Sequence, residues 1–322
     1  MARTIVGILR GGSSGEYELS LKTGAAMHAA LPEDKYDTRD IFIDRNGLWH
    51  LRGLPATPAR ALAQVDVALI GLHGGAGEDG TVQRILERAG IPYAGARPHA
   101  AGLSLNKARA REFLRKAHIR MPEAILLTTA DDTDTARMAR EVFQHFGPPY
   151  VVKAVSEGSS RGIRFAPTIV ELPAMIGDVI DAHGSALVEQ YVHGDEVHAG
   201  VIEGFRGEEL YALPVSHVQI PSANRFYNPY SHGLDAIRHT VPSKLSFAVK
   251  DRIADMMRAA HRALGMSHFS AANFIVTKSG PYLLEVDAIP HLYQGAAFPP
   301  MLEAVGSSTR EFLEHAISLA RK

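Results

Sequence analysis

The first hundred residues alternate apolar strand-like runs with helical patterns, and glycine gathers at the junctions. The run Thr4 to Leu9 opens onto Arg10-Gly11-Gly12-Ser13-Ser14-Gly15-Glu16 and then a helical pattern from Leu19 to Leu31, closed by Pro32. Tyr36 to Ile43 reads as a second strand, and Val65 to Leu72 as a third that ends at His73-Gly74-Gly75. A helix over Thr81 to Ala89 and a short strand over Ile91 to Ala94 follow. Strands joined through helices imply a parallel sheet with crossover connections. Ligands of such sheets sit beyond the carboxyl ends of the strands, where both glycine clusters fall.

The rest of the chain is more mixed. A basic helix covers Lys107 to Ala117, strands cover Pro122–Leu127, Tyr150–Val155 and Ala186–Val192, and helices cover Asp131–Phe146 and Leu172–Asp181. Val197 to Glu203 reads as the antiparallel neighbour of Ala186–Val192, and Asn224 to Pro242 as a long loop. Phe247 to Leu264 is an amphipathic helix. Phe269–Val276 and Tyr282–Val286 pair as a hairpin across Thr277-Lys278-Ser279-Gly280, and the last residues form a helix.

Composition excludes several function classes. Lysine and arginine total 34 against 35 aspartate and glutamate, so no bulk charge draws the chain to nucleic acid or an anionic membrane. Cysteine is absent, which removes disulfides, thiol catalysis and Cys-ligated metals. No apolar run approaches the roughly 20 residues of a membrane span, and the first apolar run is short and strand-like rather than a signal peptide. A cytoplasmic protein is the expectation.

Four groups of residues can carry chemistry. The loop Glu157-Gly158-Ser159-Ser160-Arg161-Gly162 follows Lys153 at a strand end. It reads either as a phosphate cradle of backbone N–H groups and hydroxyls or as an ordinary hairpin turn. In His73-Gly74-Gly75-Ala76-Gly77-Glu78-Asp79-Gly80, His73 lies where a substrate would sit, whereas the acids, Asp79 above all, suit a helix start. Glu16 binds a substrate ammonium or is likewise a helix-start acid. Glu285 and Asp287 share one face of a strand. With Asn273 opposite, they suit Mg²⁺, which takes hard oxygen ligands and bridges phosphates. The other reading is a solvated strand face, which the apolar Leu283, Leu284 and Val286 disfavour. Finally, main-chain groups at Gln190, Tyr191 and Val192 can read an adenine edge and Glu196 can hold ribose, although Glu189 and Glu196 also fit a plain surface.

Taken in order, these segments resemble the D-alanine–D-alanine ligases of the ATP-grasp superfamily over nearly the whole chain. The stretches His73 to Gln83 and Lys153 to Gly162 carry the resemblance most specifically. It implies an α/β, ATP-grasp architecture of three domains. Residues 1–100 form the parallel-sheet, substrate-side domain. Residues 101–187 carry the phosphate loop and 188–322 the Mg²⁺ ligands, and these two clamp ATP. The resemblance also implies that Lys107 and Lys153 contact ATP phosphates beneath a loop comprising Glu157, Gly158, Ser159 and Ser160. Glu189 with Gln190, Tyr191 and Val192 would hold adenine, and Glu196 ribose. Glu16 would meet the ammonium of the first amino acid with His73 nearby and Ser160 orienting it. Glu285 would bridge two Mg²⁺ ions, for which Mn²⁺ can substitute. A homodimer formed through the N-terminal domain is a further implication.

The departures from the family pattern are specific. Asn273 and Asp287 exchange the family's Asp and Asn, which keeps two negative charges in the set. Ala271 stands where the family has an Arg that touches the transferred phosphate. A Lys-Tyr lid is replaced by Asn228-Pro229-Tyr230-Ser231-His232-Gly233, with His232 the stand-in for the Lys. His291 replaces a Gly whose N–H faces the oxyanion. Ala296, or Gly295, replaces the Ser that binds the second substrate's carboxylate. The expected reaction is phosphoryl transfer to a carboxylate, then amine attack on the acyl phosphate, nominally giving D-alanyl-D-alanine for peptidoglycan precursors. A different second substrate, or nucleotide binding without ligation, are the alternatives. A dinucleotide oxidoreductase is discounted, because Gly11-Gly12-Ser13-Ser14 does not give a Gly-x-Gly-x-x-Gly register.

Overall fold

A computed structural model describes residues 3–129, 134–158, 162–219 and 237–322. The calls at Ser159, Ser160 and His232, and the loop residues 224–236, lie outside them. The described residues form three sheets. The first contains β1 (Thr4–Gly11), β2 (Tyr36–Ile43), β3 (Trp49–Leu51), β4 (Leu54–Pro55), β5 (Val67–Ile70) and β6 (Tyr93–Ala94), in the order β4-β3-β2-β1-β5-β6. β2, β1, β5 and β6 are parallel, as the strand–helix alternation predicts. Val6, Ile8 and Leu9 of β1 have no exposed surface, because helices cover both faces of a parallel sheet. The edge hairpin β3–β4 and the helix Pro58–Leu62 are too short to show a period in the sequence.

The second sheet contains β7 (Ala124–Thr128), β8 (Tyr150–Ala154), β9 (Arg164–Ala166) and β10 (Ser185–Gln190), in the order β7-β10-β8-β9. The helices Thr135–His145 and Leu172–His183 pack Met138, Val142, Ile176 and Val179 against Val152 and Val188. The first of them starts later than its apolar pattern suggests. Asp134 caps it, with its Oδ1 accepting from the N–H groups of Ala136 and Arg137.

The third sheet contains β11 (Asp195–Glu203), β12 (Leu210–Ala212), β13 (Ser216–Gln219), β14 (Arg238–Thr240), β15 (Phe269–Thr277) and β16 (Gly280–Asp287). Its order is β14-β13-β11-β15-β16, with β12 beside β11. The helix Phe247–Ala263 lays Ile253, Met257 and Ala260 on it. Two expectations are corrected here. β11 does not pair with β10, because β7 and β8 already occupy both edges of β10. The chain instead crosses to another sheet at Gly194, where a Cβ would lie 2.3 Å from the carbonyl oxygen of Val276. Within the expected loop Asn224–Pro242, residues Arg238 to Thr240 form a strand against β13.

The β15–β16 hairpin forms as predicted, with an irregularity between Asn273 and Phe274. This sets Asn273 opposite Glu285 and Ala271 opposite Asp287, all on one face. Phe274 is fully buried on the other face, in the largest core cluster. Phe274→Ala should cost about 3–5 kcal/mol in urea unfolding. Val170→Ala, at an 81% exposed position, should change stability by less than about 0.5 kcal/mol.

Candidate active site

Two clefts meet at Asn273 and Glu285, which line both. The outer cleft, about 1040 Å³, lies between the second and third sheets. Lys153, Gln190, Tyr191, Val192 and Glu196 line it together with the apolar Val151, Ile275 and Leu284. The inner cleft, about 900 Å³, is walled by Glu16, Glu78, Lys107, Glu157, Gly158, Asp287 and His291. Of the expected nucleotide-side residues, Lys153, Glu189, Gln190, Tyr191, Val192 and Glu196 line the outer cleft, whereas Lys107, Glu157 and Gly158 line the inner one with Glu16; His73 lines neither.

Ion pairs hold the outer cleft in place. Glu189 is buried, and its two oxygens accept from Arg111 at 2.9 Å and from Lys153 at 2.6 Å. Arg111 also donates to the carbonyl of Pro122. Sequence reasoning missed Arg111, although the signal was present: it lies four positions after Lys107, on the same face of one helix. That helix, Lys107–Lys116, is capped by Asn106, whose side chain accepts from the N–H of Arg109. It delivers both cations to the site.

At the junction, Lys107 Nζ lies 3.2 Å from Glu285 Oε2 and donates to the carbonyl of Glu157 at 2.5 Å. Asn273 donates to the other oxygen of Glu285 at 3.0 Å. Burial opposes the charge of Lys107, but Glu285, with Asp287 and Glu189, outweighs it and raises the ammonium pKa. Burial likewise works against the charge of Glu285, and Lys107 with Lys153 outweighs it and lowers the carboxyl. The charged form of Asp287 is also favoured by Lys107, but too little to offset what opposes it. Burial, then Glu285, Glu78 and Glu16, push it well above the carboxylate range.

This donor set suits Mg²⁺. Two carboxylates and an amide face one junction, and crowding by neighbouring carboxylates disfavours the charged form of Asp287. Among the described residues no three His, Asp or Glu side chains converge on one metal position. Mg²⁺ takes one or two carboxylates and fills its octahedron with phosphates and water.

The motif His73 to Gly80 folds tightly back on itself. A Cβ at Gly77 would lie 2.2 Å from the carbonyl oxygen of Leu72. Asp79 is a helix-start acid as expected, accepting from the N–H of Thr81 at 2.7 Å. Glu78 is not. It turns inward, accepts from the N–H of Gly74 at 2.6 Å and lines the inner cleft. Burial, with Glu16 next in effect, pushes its pKa up to about 8. Glu16 is buried against two glycines: a Cβ at Gly158 or Gly74 would come within 2.3 or 2.5 Å of its Oε2. His73 is buried behind the cleft wall, with Nε2 2.7 Å from Thr23 Oγ1 and its ring stacked on His291 at 3.9 Å. Burial and then His291 hold it well below the usual imidazole value, so it is neutral at pH 7.

The departures also take their places. Ala271, Ala296 and His291 all line the inner cleft. Of the two candidates for the Ser position, Ala296 is the buried wall residue and Gly295 is exposed. His198, which the sequence reading passed over, lines the same cleft. Its signal was a two-residue spacing from Glu196 along one strand face.

Comparison with known proteins places the chain in a family. The family model for the D-Ala–D-Ala ligase C-terminus matches residues 113–318, and that for the N-terminus matches residues 52–96. A D-alanine–D-alanine ligase of Desulforudis audaxviator is 34% identical, with 98% of each chain covered. The D-Ala:D-Ser ligase VanG of Enterococcus faecalis superposes with a TM-score of 0.84 at 26% identity, covering 99% of this chain and 100% of that one. An ATP complex of a D-alanine–D-alanine ligase from Bacillus anthracis superposes with a TM-score of 0.80 at 26% identity, covering 99% and 97%. These matches over nearly the whole chain make the three-sheet fold that of an ATP-grasp enzyme, a ligase that spends ATP to form a C–N bond. Within that class the chain belongs to the D-alanine–D-alanine ligase family.

Two outcomes are expected. Glu189→Ala leaves Arg111 and Lys153 as unpaired buried cations and should cost about 3–5 kcal/mol in chemical unfolding. The second concerns Glu78. A carboxyl raised to about 8 in the fold, against an ordinary 4.5, binds its proton more tightly folded than unfolded. Its contribution to stability is full below pH 4.5 and is lost as pH rises through 8. Thermal unfolding without metal or substrate should show wild type losing more stability than Glu78→Gln across that window.

Proposed function

We propose that this ligase activates the carboxylate of an amino acid, nominally D-alanine, as an acyl phosphate and joins it to the amine of a second molecule. The observation that carries this reading is the pair of clefts sharing Glu285 and Asn273. A nucleotide in the outer cleft would present its terminal phosphate there to a carboxylate in the inner one. Adenine would lie against Glu189, Gln190, Tyr191 and Val192, and ribose near Glu196. Lys107 and Lys153 would offset phosphate charge, with the loop from Glu157 through Ser159 and Ser160 above. Glu16, with Glu78 beside it, would take the substrate ammonium. Asn273, Glu285 and Asp287 would hold Mg²⁺, two ions by resemblance, which supplies charge neutralisation on the phosphates.

In the first step a carboxylate oxygen attacks the γ-phosphorus, giving ADP and an acyl phosphate. In the second an amine attacks the acyl carbon, and phosphate leaves as the C–N bond forms. Positioning and electrostatic stabilisation supply most of the rate. A second reading concerns the amine partner. Ala296 on the inner wall offers no hydroxyl to a carboxylate, which favours a partner other than D-alanine. A cytoplasmic homodimer assembling through the first sheet's domain fits the resemblance. No helix of the described residues is long and apolar enough to cross a membrane.

With ATP, Mg²⁺ and D-alanine the protein should release phosphate, and a panel of D- and L-amino acids and hydroxy acids as partners should identify the second substrate. Glu285→Gln should lower turnover by roughly 100-fold or more. Nucleotide binding by calorimetry with no phosphate release from any amino acid would overturn ligation.

A further inference from the structure

We propose that His291 is a further catalytic residue, its imidazole Nδ1 donating a hydrogen bond to an oxygen of the substrate carboxyl group as that group is activated. The inference rests on the ligase reading above. His291 lies just beyond β16, in the wall of the inner cleft that also contains Ala271 and Glu16.

Its ring is fixed from behind. It stacks on His73 at a centroid distance of 3.9 Å and an interplanar angle of 21°, and meets Tyr293 edge-on at 5.4 Å. His73 is itself held by Thr23, whose Oγ1 also accepts from the N–H of Leu292 at 3.5 Å. This ties the ring to the first helix, Tyr17–Ala30. Nothing in that support uses Nδ1. The atom is shielded from solvent and has no hydrogen-bond partner among the described residues. A polar atom left in that state costs free energy, and one on a cleft wall recovers it when a ligand pairs with it.

The surroundings select the ligand group. The carboxylates of Glu16, Glu78, Glu285 and Asp287 line the cleft and suit the cationic parts of a substrate complex, while Lys107 is paired with Glu285. An oxygen that gains negative charge needs a donor. Ala271, on the same cleft wall, supplies no polar side-chain atom. Burial pushes the His291 pKa down to about 4, so the ring is neutral at pH 7 and offers one N–H. Neutral donors aimed at developing charge in a dry site are effective without the cost of burying a cation.

Two substitutions separate this role from a packing role. His291→Phe keeps an aromatic ring against His73 and removes Nδ1. His291→Asn loses the ring and keeps an N–H near the Nδ1 position. With D-alanine as substrate, Phe should lower kcat for ADP formation by roughly 100-fold while leaving the KM for ATP within about twofold. Asn should recover about tenfold of that loss. Wild-type kcat in the Phe variant, or Asn no better than Phe, overturns the proposal. If the wild type forms no ADP with any amino acid, the ligase reading fails on its own, and calorimetry with D-alanine then decides the role of His291. Binding weakened about tenfold in the Phe variant supports it. The same affinity in both proteins, or no binding to either, overturns it.

Discussion

The site depends on an excess of buried negative charge. Glu16, Glu78, Glu285 and Asp287 line one cleft with Lys107 as the cation among its described lining residues. Carboxylates crowded out of water raise one another's pKa, and Glu78 and Asp287 bear that cost. Such a cluster is stable in its ionised form only when cations occupy it. The electrostatics of the cleft therefore favour cationic occupants, and on the proposed function these are a substrate ammonium group and a divalent metal.

The backbone makes that crowding possible. β1 and β5 end side by side and deliver Glu16 and the His73–Gly80 motif from the first sheet. The irregular hairpin delivers Asn273, Glu285 and Asp287 from the third. The helix Lys107–Lys116 bridges to the second sheet through Arg111 and Glu189. Each sheet thus contributes one side of a single reaction volume, and a shift of any one would separate charges that compensate one another.

Much of this was legible in the sequence because it is local. The parallel order of the first sheet follows from strand–helix alternation, and the shared face of Glu285 and Asp287 from the two-residue strand period. What could not be read is what depends on sheet edges and burial. β10 and β11 are neighbours in sequence, yet only the full sheet reveals that β10 has no edge left to offer. Glu78 and Asp79 are adjacent acids of one motif, and nothing local says that one caps a helix while the other turns into the cleft. Arg111 looked like one charge among several on a basic helix until Glu189 was seen to grip it.

The cleft walls differ in how freely they can change. Any side chain at Gly158 would displace the Glu16 carboxylate, and any change at Glu189 would strand two cations. Ala296 is packed against Leu19 and Tyr293, but it and Ala271 line the inner cleft with no polar side-chain atom to preserve. On the proposed function, mutational drift at these two positions would exchange one amine partner for another while the residues that activate the first carboxylate stay fixed. In evolutionary terms such an enzyme is modular within a single cavity, with the acceptor free to diversify.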